Sequence, residues 1–254
     1  MKFTGLIIFC AFSTLTANAF AQTYSSEEIK SVIRRQPEGQ ALLSKFENTP
    51  ANETHELDLS AETSHTDAVI SRKYNLKTEK ESTTREVVIH LRQHAKLESV
   101  VLDLVHELVH AVKGGGIDPY DPELTADQYI QQTLEGAGGE VEAVWTECRF
   151  MQSMKWGSDV DPRCDRYQKE LTKTAIRNDF YKVGSHKAFL ERHTRVPVSG
   201  ETPLFISSTG DAPYPLALFE EYQELTKQAC RNAERRIASS REGKSKILIR
   251  KRCQ

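Results

Sequence analysis

The sequence predicts an α+β domain in which a small twisted sheet packs on one apolar helix and further helices fill the C-terminal half. Three observations carry this. Apolar residues recur with period two between residues 55 and 92, they recur with helical spacing from Lys96 onward, and glycine- and proline-rich breaks separate the runs. With 38% hydrophobic and 28% charged residues over 254 positions, the composition is that of a chain able to bury a core. The formal net charge of −2 is too balanced to mark a nucleic-acid partner.

The first 21 residues read as a cleavable signal peptide. Lys2 supplies the positive start, "LIIFCAFSTL" the apolar stretch, and Ala19-Phe20-Ala21 the small-residue cleavage site. Cys10 follows Phe9 inside the apolar stretch, which argues against lipidation there. No other segment is long and apolar enough to span a bilayer. The expectation is an exported, periplasmic or secreted chain, with residues 22–254 as a single domain. Its core covers about 30–155, and a helical extension covers 160–254.

Elements follow in order. Ser25 to Glu47 reads as helical, broken at Pro37-Glu38-Gly39. "HELDLS" alternates Leu57 and Leu59, "AVISRKY" is β-branched, and "REVVIHLR" puts Val87, Ile89 and Leu91 on one face. The polar "NLKTEKESTT" reads as a hairpin connection between the last two strands. "KLESVVLDLVHELVHAVK" then places Leu97, Val101, Leu104, Leu108 and Ala111 on a helical stripe ending at Gly114. A helix over Thr125 to Leu134, the break "EGAGGE" and the helix "EVEAVWTECRFMQSMKW" follow. One or two helices run from Pro162 towards Tyr181, and a long loop with a short strand leads to a last helix over Leu216 to Ser239. Four cysteines remain after the signal: Cys148, Cys164, Cys230 and Cys253. In an exported chain they suggest two disulfides, with Cys148–Cys164 the simplest local pairing.

The apolar helix carries His106, Glu107 and His110 in "HELVHA". Residues four apart on a helix share a face, with Cβ atoms about 5–6 Å apart, so two imidazoles can reach one Zn²⁺. The glutamate between them then lies beside a zinc-activated water as general base. A third protein ligand is needed. The extension that would supply a third histidine requires Gly at 113 and His at 116, where this chain has Lys113 and Gly116. A downstream glutamate is the remaining choice among Glu135, Glu140, Glu142 and Glu147. At about 100° per residue from Glu140, the stripe Val141, Val144, Trp145, Cys148 and Met151 centres near 80°. Glu140 lies on its margin and can face an interior metal. Glu142 falls on the solvent side, and Glu147 shares the Glu140 side two turns on, as a partner behind the ligands. The direction of Glu135 cannot be read across the glycine break. Glu140 is the preferred ligand and Glu135 the alternative.

"HELVHA" followed thirty residues after His110 by "GGEVEA" resembles the zincin metallopeptidases with a glutamate ligand, most closely the small bacterial and effector-type ones. The resemblance covers roughly residues 30–155. It implies a zincin-like fold, one Zn²⁺ per chain held by His106, His110 and Glu140, Glu107 as base, and a peptide or protein substrate. It also implies that the strand over 86–92 is the edge along which an extended substrate pairs. Such sites add an oxyanion donor, for which Tyr181, His186 and His193 in "FYKVGSHKAFLERH" are candidates. Asp103, one turn before His106, is a candidate to orient an imidazole. A cell-wall peptide amidase is a variant of the same chemistry. The rival from another class is a secreted binding or inhibitor module on the same shell.

Overall fold

The computed structural model describes residues 23–75, 78, 80–94, 96–114, 117–118, 121, 123–180, 204–206 and 213–239. Two short helices open it, α1 (Ser26–Ile33) and α2 (Pro37–Glu47). Ser25 caps α1 through a reciprocal box with Glu28, which satisfies two of the otherwise unpaired amides of the first turn. The break between the helices lies at residues 34–36, ahead of the expected Pro-Glu-Gly. Pro37 is the first residue of α2, where its missing N–H costs nothing.

Three strands follow: β1 (Glu53–Ala61), β2 (His65–Asn75) and β3 (Lys80–Arg92). β3 lies in the middle, parallel to β1 and antiparallel to β2. This overturns the expectation that residues 86–92 form an edge. Both sides of β3 are already paired, and among the described residues the outer strands of this sheet are β1 and β2. A hydrophobic alternation shows which face of a strand is buried but not its place in the sheet.

Helix α3 (Leu97–Lys113) lies across the sheet, where Val87, Ile89 and Leu91 of β3 are fully buried. The expected single stripe understates it. Val100, Leu102, Val105 and Val109 are buried as well as Val101, Leu104, Leu108 and Ala111, because α1, α2 and α5 cover the sides the sheet does not. A helix apolar nearly all round is a core helix. Removing one such side chain, as in Leu104→Ala, costs about 2–5 kcal/mol. Its C-terminal end is held by Arg85 of β3, whose guanidinium donates to the carbonyls of Ala111 and Gly114.

Helices α4 (Ala126–Glu135), α5 (Glu140–Ser153), α6 (Pro162–Asp165), α7 (Lys173–Phe180) and α8 (Leu216–Ser239) complete the chain, with a two-stranded antiparallel ribbon, β4 (Leu204–Ile206) and β5 (Pro213–Pro215), before α8. Leu218 of α8 joins Leu124, Tyr129, Ile130 and Leu134 in a second, smaller core. Cys148 and Cys164 form a disulfide that ties α5 to α6. Cys230 is also disulfide-bonded, and its partner lies outside the described residues, as do Cys253 and the segment expected to be a signal peptide. No described helix is long and apolar enough to cross a membrane.

Candidate metal centre

His106 and His110 stand one turn apart on α3, their rings edge to face with centroids 4.9 Å apart. Each has its Nδ1 committed elsewhere. His110 Nδ1 donates to the carbonyl oxygen of Gly138 at 2.7 Å, and His106 Nδ1 to Glu147 Oε2 at 2.9 Å. Carbonyl and carboxylate oxygens can only accept, so both Nδ1 atoms carry a proton, and each Nε2 presents a lone pair when its ring is neutral. Those Nε2 atoms are buried and have no hydrogen-bond partner. Leaving one buried polar atom unsatisfied costs about 1–3 kcal/mol, so two converging on one point mark a place for a cation.

Glu140 closes the cluster. Its Oε2 lies 3.4 Å from His106 Nε2 and its Oε1 3.3 Å from His110 Nε2. With metal–ligand bonds of about 2.0–2.1 Å, the edge of a tetrahedron is about 3.3–3.4 Å, the scale of these two separations. Without a cation, burial disfavours the imidazolium of His106, but Glu140 and Glu147 outweigh it and lift its pKa well above the ordinary value. At His110 burial is likewise outweighed, mainly by Glu140. The cluster favours positive charge.

Local sequence explains the placement. "GAGGE" lets the chain turn against the end of α3. Gly138 has φ +72°, and a Cβ there would lie 2.3 Å from the Gly114 nitrogen. Only glycine allows this approach, which brings the Gly138 carbonyl to His110 and makes Glu140 the first residue of α5. Glu142 turns the other way, to the Gly138 amide and to Lys113 and Lys173.

Behind His106 runs a buried polar chain. Glu147 Oε1 accepts from Arg163 at 2.6 Å, and Arg163 forks onto Asp161, which also caps α6. Burial pushes the Glu147 carboxyl up to about 7 against the pull of Arg163 and His106. Burial also opposes the Arg163 charge, but Glu147 and Asp161 hold it protonated. The disulfide joins the immediate neighbours of these residues, Cys148 and Cys164. Glu107, 3% exposed, accepts at Oε2 from the Thr66 hydroxyl of β2 at 2.8 Å.

The sequence candidates sort as follows. His106, His110 and Glu140 come together, with Glu107 beside them on α3 and Glu147 behind His106. Glu135 points away, exposed, and pairs with Arg177 at 3.3 Å. Asp103 does not meet either cluster histidine; it accepts from His94 and Ser64, fastening the ends of β3 and β2 to α3. Tyr181, His186 and His193 lie outside the described residues. Sequence reading missed Thr66, Gly138, Asp161 and Arg163. Only Asp161-Pro162, a helix-start pair, left any local signal, and it says nothing of the site. It also missed Glu221 of α8, an exposed residue whose carboxyl hydrogen-bonds Tyr129. Partial desolvation of that carboxyl and the nearby Glu140 charge raise the Glu221 pKa against the Tyr129 hydrogen bond.

No family model matches the chain, and neither a curated protein nor a solved structure does. The site is therefore read from its own chemistry.

Proposed function

We propose that this chain is a zinc-dependent metallopeptidase of the zincin type, acting on peptide or protein substrates outside the cytoplasm. The observation that carries the reading is the pair of buried, unpartnered Nε2 atoms facing Glu140, each imidazole oriented through its Nδ1. Two neutral imidazoles and one carboxylate are the ligand set of a hydrolytic zinc site with a position left for water. A zinc ion held there would polarise a substrate carbonyl and acidify a water molecule.

The chain's own residues supply the rest. Glu107, held by the Thr66 hydroxyl, takes the proton from the attacking water and delivers it to the leaving amine nitrogen. Glu147 and Gly138 keep the imidazoles aimed. The outer edge of β2, the strand bearing Thr66, replaces β3 as the edge along which an extended backbone aligns.

The test is cleavage of an unstructured protein by the zinc-loaded chain. Wild type should cut it, a chelator should stop cleavage and zinc restore it, and Glu107→Gln should lower the rate about 10²–10⁴-fold. A zinc-loaded wild type that cuts nothing across a broad peptide library would instead leave a binding module on the same shell.

A further inference from the structure

The outer face of the sheet carries a second group of metal-ligating side chains. His65 of β2 and His90 of β3 are direct cross-strand partners, and Asp67, two residues along β2, lies on the same face. This is the face opposite Ile89, away from α3. The imidazoles are stacked, with centroids 4.6 Å apart and planes 18° apart. Asp67 Oδ2 stands 3.5 Å from His90 Nε2 and 3.9 Å from His65 Nε2.

Both rings are oriented as ligands are. His90 Nδ1 donates to Asp58 Oδ2 at 2.9 Å, and Asp58 is in turn held by the Ser60 amide and hydroxyl. His65 Nδ1 donates to the Thr63 carbonyl at 3.0 Å. Each Nδ1 is therefore engaged, which leaves each Nε2 on the side of Asp67 Oδ2. A carboxylate or carbonyl behind each Nδ1 is the usual support of a metal-bound histidine. A surface ion-pair cluster would need no such matched orientation of two stacked rings.

We propose that His65, Asp67 and His90 form a second divalent transition-metal site, distinct from the buried one and independent of the peptidase reading. Two imidazoles and a carboxylate suit zinc or copper(II) over calcium or magnesium. The three ligand atoms all lie within 4.8 Å of one another, and the Asp67 separations of 3.5 and 3.9 Å exceed the tetrahedral edge of about 3.3 Å by less than an ångström. Asp67 is largely exposed, and the metal here would exchange with solvent. Its position has a consequence: Thr66, between His65 and Asp67, points to the other face and holds Glu107. A metal bridging β2 to β3 would pin the strand that positions the base.

The experiment is a calorimetric zinc titration of the metal-free full chain, with histidine side-chain nitrogen NMR as a second readout. Wild type should take up two equivalents, and His65→Ala and Asp67→Asn one each. Glu140→Gln and His106→Ala should lose or weaken the tight uptake but keep the weaker one. The second equivalent should shift the Nε2 signals of His65 and His90. Equal uptake by wild type, His65→Ala and Asp67→Asn would overturn the site, whatever the buried cluster does. A single equivalent lost in His65→Ala but kept in Glu140→Gln would support it and refute the buried centre instead. Asp67 is largely exposed and His65 half-buried, whereas His106 and Glu140 are buried, so circular dichroism checks the fold of each variant.

Discussion

The Nδ1 of His110 donates to the carbonyl oxygen of Gly138 at 2.7 Å, and Gly138 reaches that position only in a left-handed conformation against the backbone of Gly114. One glycine thus orients the ring of a candidate ligand and sets the start of the helix that bears Glu140. Gly138→Ala should cost about 1–3 kcal/mol in urea unfolding through backbone strain. The same change should weaken zinc binding about 10–100-fold, read by chelator competition. Unchanged zinc affinity would separate the glycine from the site.

The support behind His106 is ionic. Glu147→Gln keeps an oxygen to accept from His106 Nδ1 but removes the charge that Arg163 neutralises. Zinc affinity should fall about 10–100-fold. Stability should fall as well, because Arg163 is then left half-buried with Asp161 as its chief carboxylate. Glu135→Gln, at an exposed ion pair, is the control and should change neither quantity.

Thr66 hydrogen-bonds Glu107, the proposed base, and not the candidate metal ligands. Thr66→Val removes the hydrogen bond to Glu107 Oε2 while keeping the shape. The loss of about 1 kcal/mol should appear as a roughly fivefold fall in kcat with KM and zinc content unchanged.

Zinc uptake should release protons. In the metal-free protein Glu140 lifts both imidazole pKa values, with Glu147 adding to the effect at His106, against the opposing pull of burial. A metal must displace whatever proton this favours on either Nε2. Apparent zinc affinity should rise with pH until the raised pKa values are passed. Calorimetry in buffers of different ionisation heat should show release at pH 7 that shrinks as pH increases. In the metal-free protein the stability contributed by these protonated imidazoles is full below their ordinary pKa. It is lost as pH rises through the folded-state value.

Much of the site was legible because it is local. His106, Glu107 and His110 share one helix, where spacing alone gives direction, and the apolar stripe of α5 separates Glu140 from Glu142. Glu147 was reachable by the same wheel. What lay beyond reach is made by long-range packing. Arg163 and Asp161 meet Glu147 only through the fold of the chain after α5, and Thr66 meets Glu107 only because β2 lies beside α3. Asp103 showed the limit of the helical wheel: its spacing from His106 is right, but its neighbours are His94 and Ser64. The place of β3 in the sheet depends on strand order, which alternation does not encode. The His65–Asp67–His90 group exists only in the register of β2 on β3, so neither strand displays it alone.

The measurement to make first is zinc per chain in the purified protein after dialysis against a mild chelator that clears exposed sites, for wild type, Glu107→Gln and Glu140→Gln. One zinc should remain in wild type and in Glu107→Gln, with a sharp loss in Glu140→Gln. A folded wild type that retains no zinc would contradict the metal centre, and with it the peptidase reading.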